Sequence, residues 1–255
     1  MSADGNATPP AAHAVAVRVW TMATTGLDEA DVSRWAGVLD AAERERAARF
    51  VFPHSRITFI AAHALARAAL AAVTGASPPS LGFAAGAHGK PEALLEGRPA
   101  GVAFNLSHTE GLVGVAVAAQ GGVRLGFDVE PLARRAPLAV APRVFTAGER
   151  AWRGALPAAE RGEGFFRLWT LKEAFIKATG KGLTQDLSSF WFQVFPPVIG
   201  FAPELGERPA DWAFEQRRVQ GGFLAALAAG APEARIDATW REVDAADFDP
   251  ARRLV

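Results

Sequence analysis

In the stretch 125-LGFDVEP-131 two carboxylates, Asp128 and Glu130, stand two positions apart inside an otherwise apolar run. Alternation along a strand puts Leu125, Phe127 and Val129 on one face and Gly126, Asp128 and Glu130 on the other. The two acids then lie side by side, with Cα atoms roughly 6.5 Å apart, and Gly126 is expected to leave open space beside them. Like charges that close raise each other's pKa unless a cation intervenes. Two readings follow: a surface strand with two hydrated acids, or a site for a hard ion such as Mg²⁺, since every available ligand is an oxygen. Further along, Trp169, Glu173, Lys177 and Lys181 recur four residues apart. Glu173 and Lys177 are either a plain i, i+4 pair worth about 0.2–0.5 kcal/mol or a carboxylate and an ammonium that meet the strand's acids at a phosphate. In 104-FNLSHTEG-111, Asn105, Ser107 and Thr109 alternate with Phe104, Leu106 and His108. Hydroxyl, amide and imidazole at a strand end suit phosphate oxygens, although a lone histidine is more often structural. The loop 88-HGKP-91 holds Lys90 between glycine and proline and reads equally as a turn.

Elements must position these groups. Residues 15–20 read as a strand and 40–50 as a helix, which Pro53 interrupts. An apolar helix over 56–75 ends on a glycine stop, and a Pro- and Gly-rich loop carries the chain to Pro91. Residues 102–119 read as strand, turn and strand, and 123–130 as the strand of the acids. Thr146 and Glu149 have the spacing of a capping box. A helix over 165–180 places Leu168, Leu171, Phe175 and Ala178 toward the core, beside the stripe of Trp169 and Glu173. Residues 190–195 read as a strand and 196–210 as a loop; strands at 212–219 and 222–229 close the set.

Composition narrows the chemistry. The chain has 255 residues, 27 Lys plus Arg against 27 Asp plus Glu, and no cysteine. That length supports a substantial core. Balanced charge provides no global field for nucleic acid or membrane. The absence of cysteine removes disulfides, thiolate nucleophiles and Cys-based metal sites, and fits a cytoplasmic protein. Residues 1–14 read as a flexible arm, not a signal peptide.

The order strand, helix, helix, strand pair occurs twice. One offset separates Phe104 from Phe214 and Gly111 from Gly221. The expected fold class is α+β, with two similar halves, 15–120 and 121–255, and a site between them. Coincidence in an Ala-rich chain is the competing reading.

Taken together, HGKP, FNLSHTEG, GFDVEP and FRLWTLKEAFIKATGKGL resemble, in that order, the 4′-phosphopantetheinyl transferases of the Sfp type. The family's G-φ-D-φ-E strand and W-x-x-K-E-A/S-φ-φ-K helix are matched at every fixed position, and the similarity spans about residues 40 to 195. The resemblance implies a monomeric pseudo-dimer that moves the phosphopantetheine arm of coenzyme A onto a serine of an acyl or peptidyl carrier protein, releasing adenosine 3′,5′-bisphosphate. It implies Mg²⁺ bound by Asp128 and Glu130, with Glu173 as third ligand or general base. Lys177 would meet the phosphate, His108 the 3′-phosphate or pyrophosphate, and Lys90 and Ser107 other parts of coenzyme A; Lys172 belongs to the motif without a direct role. The helix after Arg49-Phe50 departs from the pattern: Arg56 and Arg67 remain, but Thr58 and His63 fall where relatives commonly carry arginine. Coenzyme A contacts by Arg44, Arg46, Arg49 or Arg56 are therefore open, a solvated helix face being the alternative. Two other functions use the same residues: a different Mg²⁺-dependent phosphoester enzyme, or a non-catalytic coenzyme A or carrier-binding module. No GxxxxGK[ST], HExxH or GxSxG motif is present.

Overall fold

A computed structural model describes residues 14–86 and 89–254. Residues 1–13 of the expected N-terminal arm, and His88 of the HGKP loop, lie outside the described residues.

The first strand, β1 (Ala14–Ala23), alternates Val15, Val17 and Val19 on one face with exposed positions between them. It is followed by α1 (Glu29–Trp35) and α2 (Ala41–Ala48), each opened by an Asp capping box. The long apolar helix α3 (Pro53–Thr74) starts at Pro53, which occupies its first turn where the missing N–H costs nothing. The break expected at Pro53 is present between α2 and α3, and Pro53 itself begins the second helix. By length and mean hydropathy α3 would pass for a membrane span, yet 67% of its most apolar window is buried in the protein. The stretch expected as loop holds β2 (Leu81–Ala85), β3 (Pro91–Leu95) and β4 (Arg98–Pro99), an antiparallel meander between its prolines and glycines.

Strands β5 (Ala103–Thr109), β6 (Leu112–Ala118) and β7 (Arg124–Pro131) fall where alternation puts them. Helices α4 (Ala141–Val144) and α5 (Ala147–Ala155) follow, the second with the predicted Thr146–Glu149 capping box. Then come α6 (Arg161–Thr179), the β8 (Phe190–Gln193) and β9 (Val198–Phe201) hairpin, β10 (Trp212–Val219), β11 (Phe223–Gly230) and β12 (Arg235–Val243). The expected 196–210 loop thus contains β9, and β12 is an addition to the expected set. Charged residues at Arg235, Asp237, Arg241 and Glu242 hid the alternation of Ile236, Ala238 and Trp240 in this edge strand.

Two sheets carry the architecture, in the orders β12-β1-β6-β5 and β10-β11-β7. Helix α3 covers the outer face of the first, burying Leu65, Leu70, Val113, Val115 and Val117. Helix α6 covers the second, burying Leu168, Leu171, Phe175, Leu224 and Ala226. Between the sheets, Val15, Val17, Val19 and Ala116 meet Leu125, Phe127, Val129 and Leu227. The result is a mixed α+β protein of four layers, helix, sheet, sheet, helix. Both long helices end on a glycine in the left-handed region, Gly75 and Gly180, as the two glycine stops predict.

Candidate functional site

The site forms where β5 and β7, the edge strands of different sheets, lie side by side under α6. No ladder joins them; side chains do. Asn105 on β5 accepts the Phe127 N–H with Oδ1 (2.8 Å), and Ser107, two residues along the same face, donates Oγ–H to Asp128 Oδ1 (3.1 Å). Helix α6 approaches β7 at Gly126. A Cβ there would stand 1.9 Å from the Ala174 carbonyl oxygen. The expected open space beside the acids is therefore filled by helix backbone. Glycine is required because the helix must come this close for Glu173 and Lys177 to reach the strand.

Asp128 is only 5% exposed, so the hydrated-surface reading of the acids fails. Lys177 Nζ donates to Asp128 Oδ1 (2.7 Å) and Ser107 Oγ (2.9 Å), which makes it a cross-layer partner and not a simple i, i+4 mate of Glu173. Glu130 is held from two sides. The Trp169 indole N–H donates to Oε1 (3.0 Å), and the Arg134 guanidinium ion-pairs with Oε2 at 3.1 Å. Burial and then Asp128 raise the Glu130 pKa, against Arg134 and Trp169. Glu173 shares the field of both strand acids. Burial, and next the charge of Asp128, push its pKa up to about 7, with Lys177 opposing. Lys181, expected on the same stripe, is exposed.

Among the described residues no three His, Asp or Glu side chains already converge as an ion cage. The donor set nevertheless fits a hard cation. Asp128 Oδ2 is buried and accepts no hydrogen bond, an arrangement that carries a desolvation cost unless a cation answers it, whereas Glu130 Oε2 already has the Arg134 guanidinium. Three carboxylates here face one ammonium, Lys177, and one guanidinium, Arg134.

Two cavities flank the site. One, of about 270 Å³, is lined by Lys90, Asn105, Glu173, Ile176, Lys177 and Gly182 among others. The second, of about 280 Å³, is bounded by Asp40, Glu43, Arg46, Phe59, His63, Phe83 and Phe104. Gly89, Pro91 and Leu106 line both. Sequence reasoning gave no site role to His63 and the aromatic walls; only the departure at His63 hinted at them. Its imidazole lies 3.9 Å centroid to centroid from Phe59, and Nδ1 hydrogen-bonds the Phe59 carbonyl at 2.9 Å. Burial lowers the His63 pKa. His108, more exposed at the end of β5, is also lowered, by partial burial and then by Lys177, His63 and Arg46. Arg46 stacks over Phe59 at 5.2 Å.

The other expected contacts are distributed differently. Arg49 pairs with Glu45 and Arg56 with Glu29, both away from the cavity lining. Arg44 caps the Leu39 carbonyl. Arg67, 1% exposed, is an internal counterion for Glu43 (2.6 Å) and Asp40 (3.2 Å), so it cannot reach a ligand. Lys90 Nζ donates to the backbone carbonyls of Leu125 (2.9 Å) and Ala178 (3.2 Å). Lys172 is also 1% exposed. It joins Leu187 and Phe190 carbonyls (2.8 and 2.9 Å) to Glu149 Oε2 (3.0 Å), fixing α6 against α5 and β8.

Comparison with known proteins agrees with this geometry. A profile of the 4′-phosphopantetheinyl transferase superfamily matches residues 124–228, the segment from β7 through β11. The 4′-phosphopantetheinyl transferase HetI of Nostoc sp. is 34% identical over 158 residues, 62% of this chain and 66% of that protein. The 4′-phosphopantetheinyl transferase ffp of Bacillus subtilis is 26% identical over 213 residues, 84% of this chain and 92% of that one. A putative 4′-phosphopantetheinyl transferase of Synechocystis sp. is 31% identical over 181 residues, 70% of this chain and 69% of its own length. With the motif residues gathered at one cleft and that breadth of identity, the chain belongs to the 4′-phosphopantetheinyl transferase superfamily.

Proposed function

We propose that this protein transfers the 4′-phosphopantetheine arm of coenzyme A to a serine of an apo acyl or peptidyl carrier protein. The observation that carries this reading is the meeting of Asp128, Glu130, Glu173 and Lys177, of which Glu173 and Lys177 line the smaller cavity. The aromatic cavity, with flat walls at Phe59, Phe83 and Phe104, suits an adenine ring, and Arg46, His63 and His108 suit its 3′-phosphate. The smaller cavity suits the diphosphate and the start of the pantetheine arm.

In the reaction the serine oxygen forms a bond to the phosphorus next to pantetheine. The bond from that phosphorus to the bridging oxygen breaks, and adenosine 3′,5′-bisphosphate leaves with the electron pair. Glu173, with a pKa of about 7, is matched to accept the serine proton near neutral pH. Lys177 stands at the strand acids with its ammonium between Ser107 and Asp128, where it orients the cluster and offsets phosphate charge. Asp128, with its unpartnered Oδ2, would hold Mg²⁺ together with Glu130 and Glu173. When bound, such an ion neutralises charge on the diphosphate. Trp169 and Arg134 keep Glu130 oriented. Transfer to phosphorus asks for positioning and charge relief more than for covalent catalysis by protein.

We also infer two similar halves, 15–120 and 121–255, in one monomeric pseudo-dimer. The orders β5-β6-β1 and β10-β11-β7 correspond strand for strand, with α3 and α6 as matching covers. This reading makes the enzyme a cytoplasmic protein whose partners are coenzyme A and carriers, not nucleic acid or membrane. The test incubates the purified protein with coenzyme A, Mg²⁺ and a panel of apo carriers. The expected result is a carrier heavier by one phosphopantetheine on its serine. Hydrolysis of coenzyme A with no carrier modified would overturn the reading, as would an unmodified panel.

A further inference from the structure

The Lys90 ammonium ends on backbone carbonyls. The residue sits between Gly89 and Pro91, two of the three residues that line both cavities. Its own carbonyl accepts the Gly86 N–H (2.8 Å). The side chain runs across Gly180, where a Cβ would contact its Cδ at 3.6 Å. Its ammonium ends on Leu125 O of β7 and Ala178 O of α6. Burial lowers its pKa to about 8, with Glu92 opposing. An ammonium kept for phosphate would end at a cavity with free donors; this one has spent two of three on neutral carbonyls whose strand and helix bear the reactive groups.

We propose that Lys90 is a positioning residue: it fastens the wall between the two cavities to β7, three residues from Asp128, and to α6, next to Lys177. The proposal rests on coenzyme A being the donor. A donor with its adenosine in one cavity and its diphosphate in the other must cross this wall, so the wall's place sets how both parts fit. Displacements near 1 Å are enough to cost large factors in such sites.

Direct contact and positioning differ in which ligands feel the loss. Calorimetric Kd values for coenzyme A, 3′-dephospho-coenzyme A and adenosine are compared between the parent, Lys90→Met and Lys90→Arg. Adenosine carries no phosphate. Positioning predicts that Lys90→Met weakens all three by a similar factor, roughly tenfold for two lost charge-assisted hydrogen bonds, after discounting for their neutral acceptors. Lys90→Arg, which keeps donors for both carbonyls, should recover most of the loss. Urea unfolding checks that each variant is folded at the assay temperature, since a general loss of structure would lower the number of sites and leave Kd unchanged. A loss confined to ligands with phosphates, a lowered site number with unchanged Kd, or no change at all would overturn the proposal. A parent that binds no coenzyme A would instead overturn the donor reading itself.

Discussion

Glu173→Gln separates the charge of Glu173 from its shape. The carboxyl has a pKa of about 7 in the folded protein against an ordinary 4.5. Burial is the main cause and Asp128 the second, so ionising Glu173 is what the fold resists. Because the folded pKa is raised, this group's contribution to stability is fully present below pH 4.5, where both states are protonated. It is lost as pH rises through 7. At about 1.4 kcal/mol per pKa unit, the full swing is roughly 3 kcal/mol. Glutamine does not titrate. The variant and the parent should therefore differ in urea stability by a fixed amount near pH 4.5, and the variant should gain roughly 3 kcal/mol on the parent by pH 8.5. The measurement uses chelated, metal-free buffer and takes the difference between the two proteins at each pH, so that other titrating groups cancel. Added Mg²⁺ should narrow the gap, because a cation favours the carboxylate. In the transfer assay, where Mg²⁺ favours the carboxylate, the parent's rate should rise with pH through a value below 7, and the variant should be slower by about 10²–10⁴. Parallel stability curves for the two proteins would refute the buried, charge-coupled carboxyl, and full activity in Glu173→Gln would refute its role as base.

The remaining predictions concern the framework and the cluster. Gly126→Ala puts a methyl into the Ala174 carbonyl and should cost about 3 kcal/mol or more, with transfer lost, by denaturation and activity assays. Lys172→Ala leaves Glu149 ionised and buried without its cation. A loss of about 3–5 kcal/mol in urea is expected, recovered in part by adding Glu149→Gln. Asp128→Ala should keep the circular dichroism of the parent and abolish carrier modification by mass spectrometry. Lys177→Ala, which leaves the buried Asp128 without its cation, should slow transfer at least about tenfold and lower the melting temperature as well.

Much was legible in the chain because it is local. Alternation placed Leu125, Phe127 and Val129 in the core between sheets, and helical spacing placed Leu168, Leu171 and Phe175 beneath α6. Thr146–Glu149 and the two glycine stops marked helix ends, since a cap depends on residues within a turn. Residue types and order also singled out Asp128, Glu130, Glu173 and Lys177. Other features were hidden because their cause is not local. Strand β12 is charged along an exposed edge and owes its place to parallel pairing with β1, at the far end of the chain. The meander of β2 to β4 was masked by prolines and glycines that turn it.

Partners across the fold were decided only in three dimensions. Nothing in the order of residues says that Arg67 neutralises Glu43, that Lys90 ends on two carbonyls, or that Lys172 answers Glu149. A long cationic side chain reaches whatever acceptor packing brings near, and burial then makes that choice binding. The sequence by itself determined which groups were available and which faces they shared. Packing of α6 onto Gly126, with Asn105 joining two sheet edges, decided that they meet. The physical reason is that a hydrogen bond or ion pair acts over a few ångströms, and only the packed layers bring residues from opposite ends of the chain within that range.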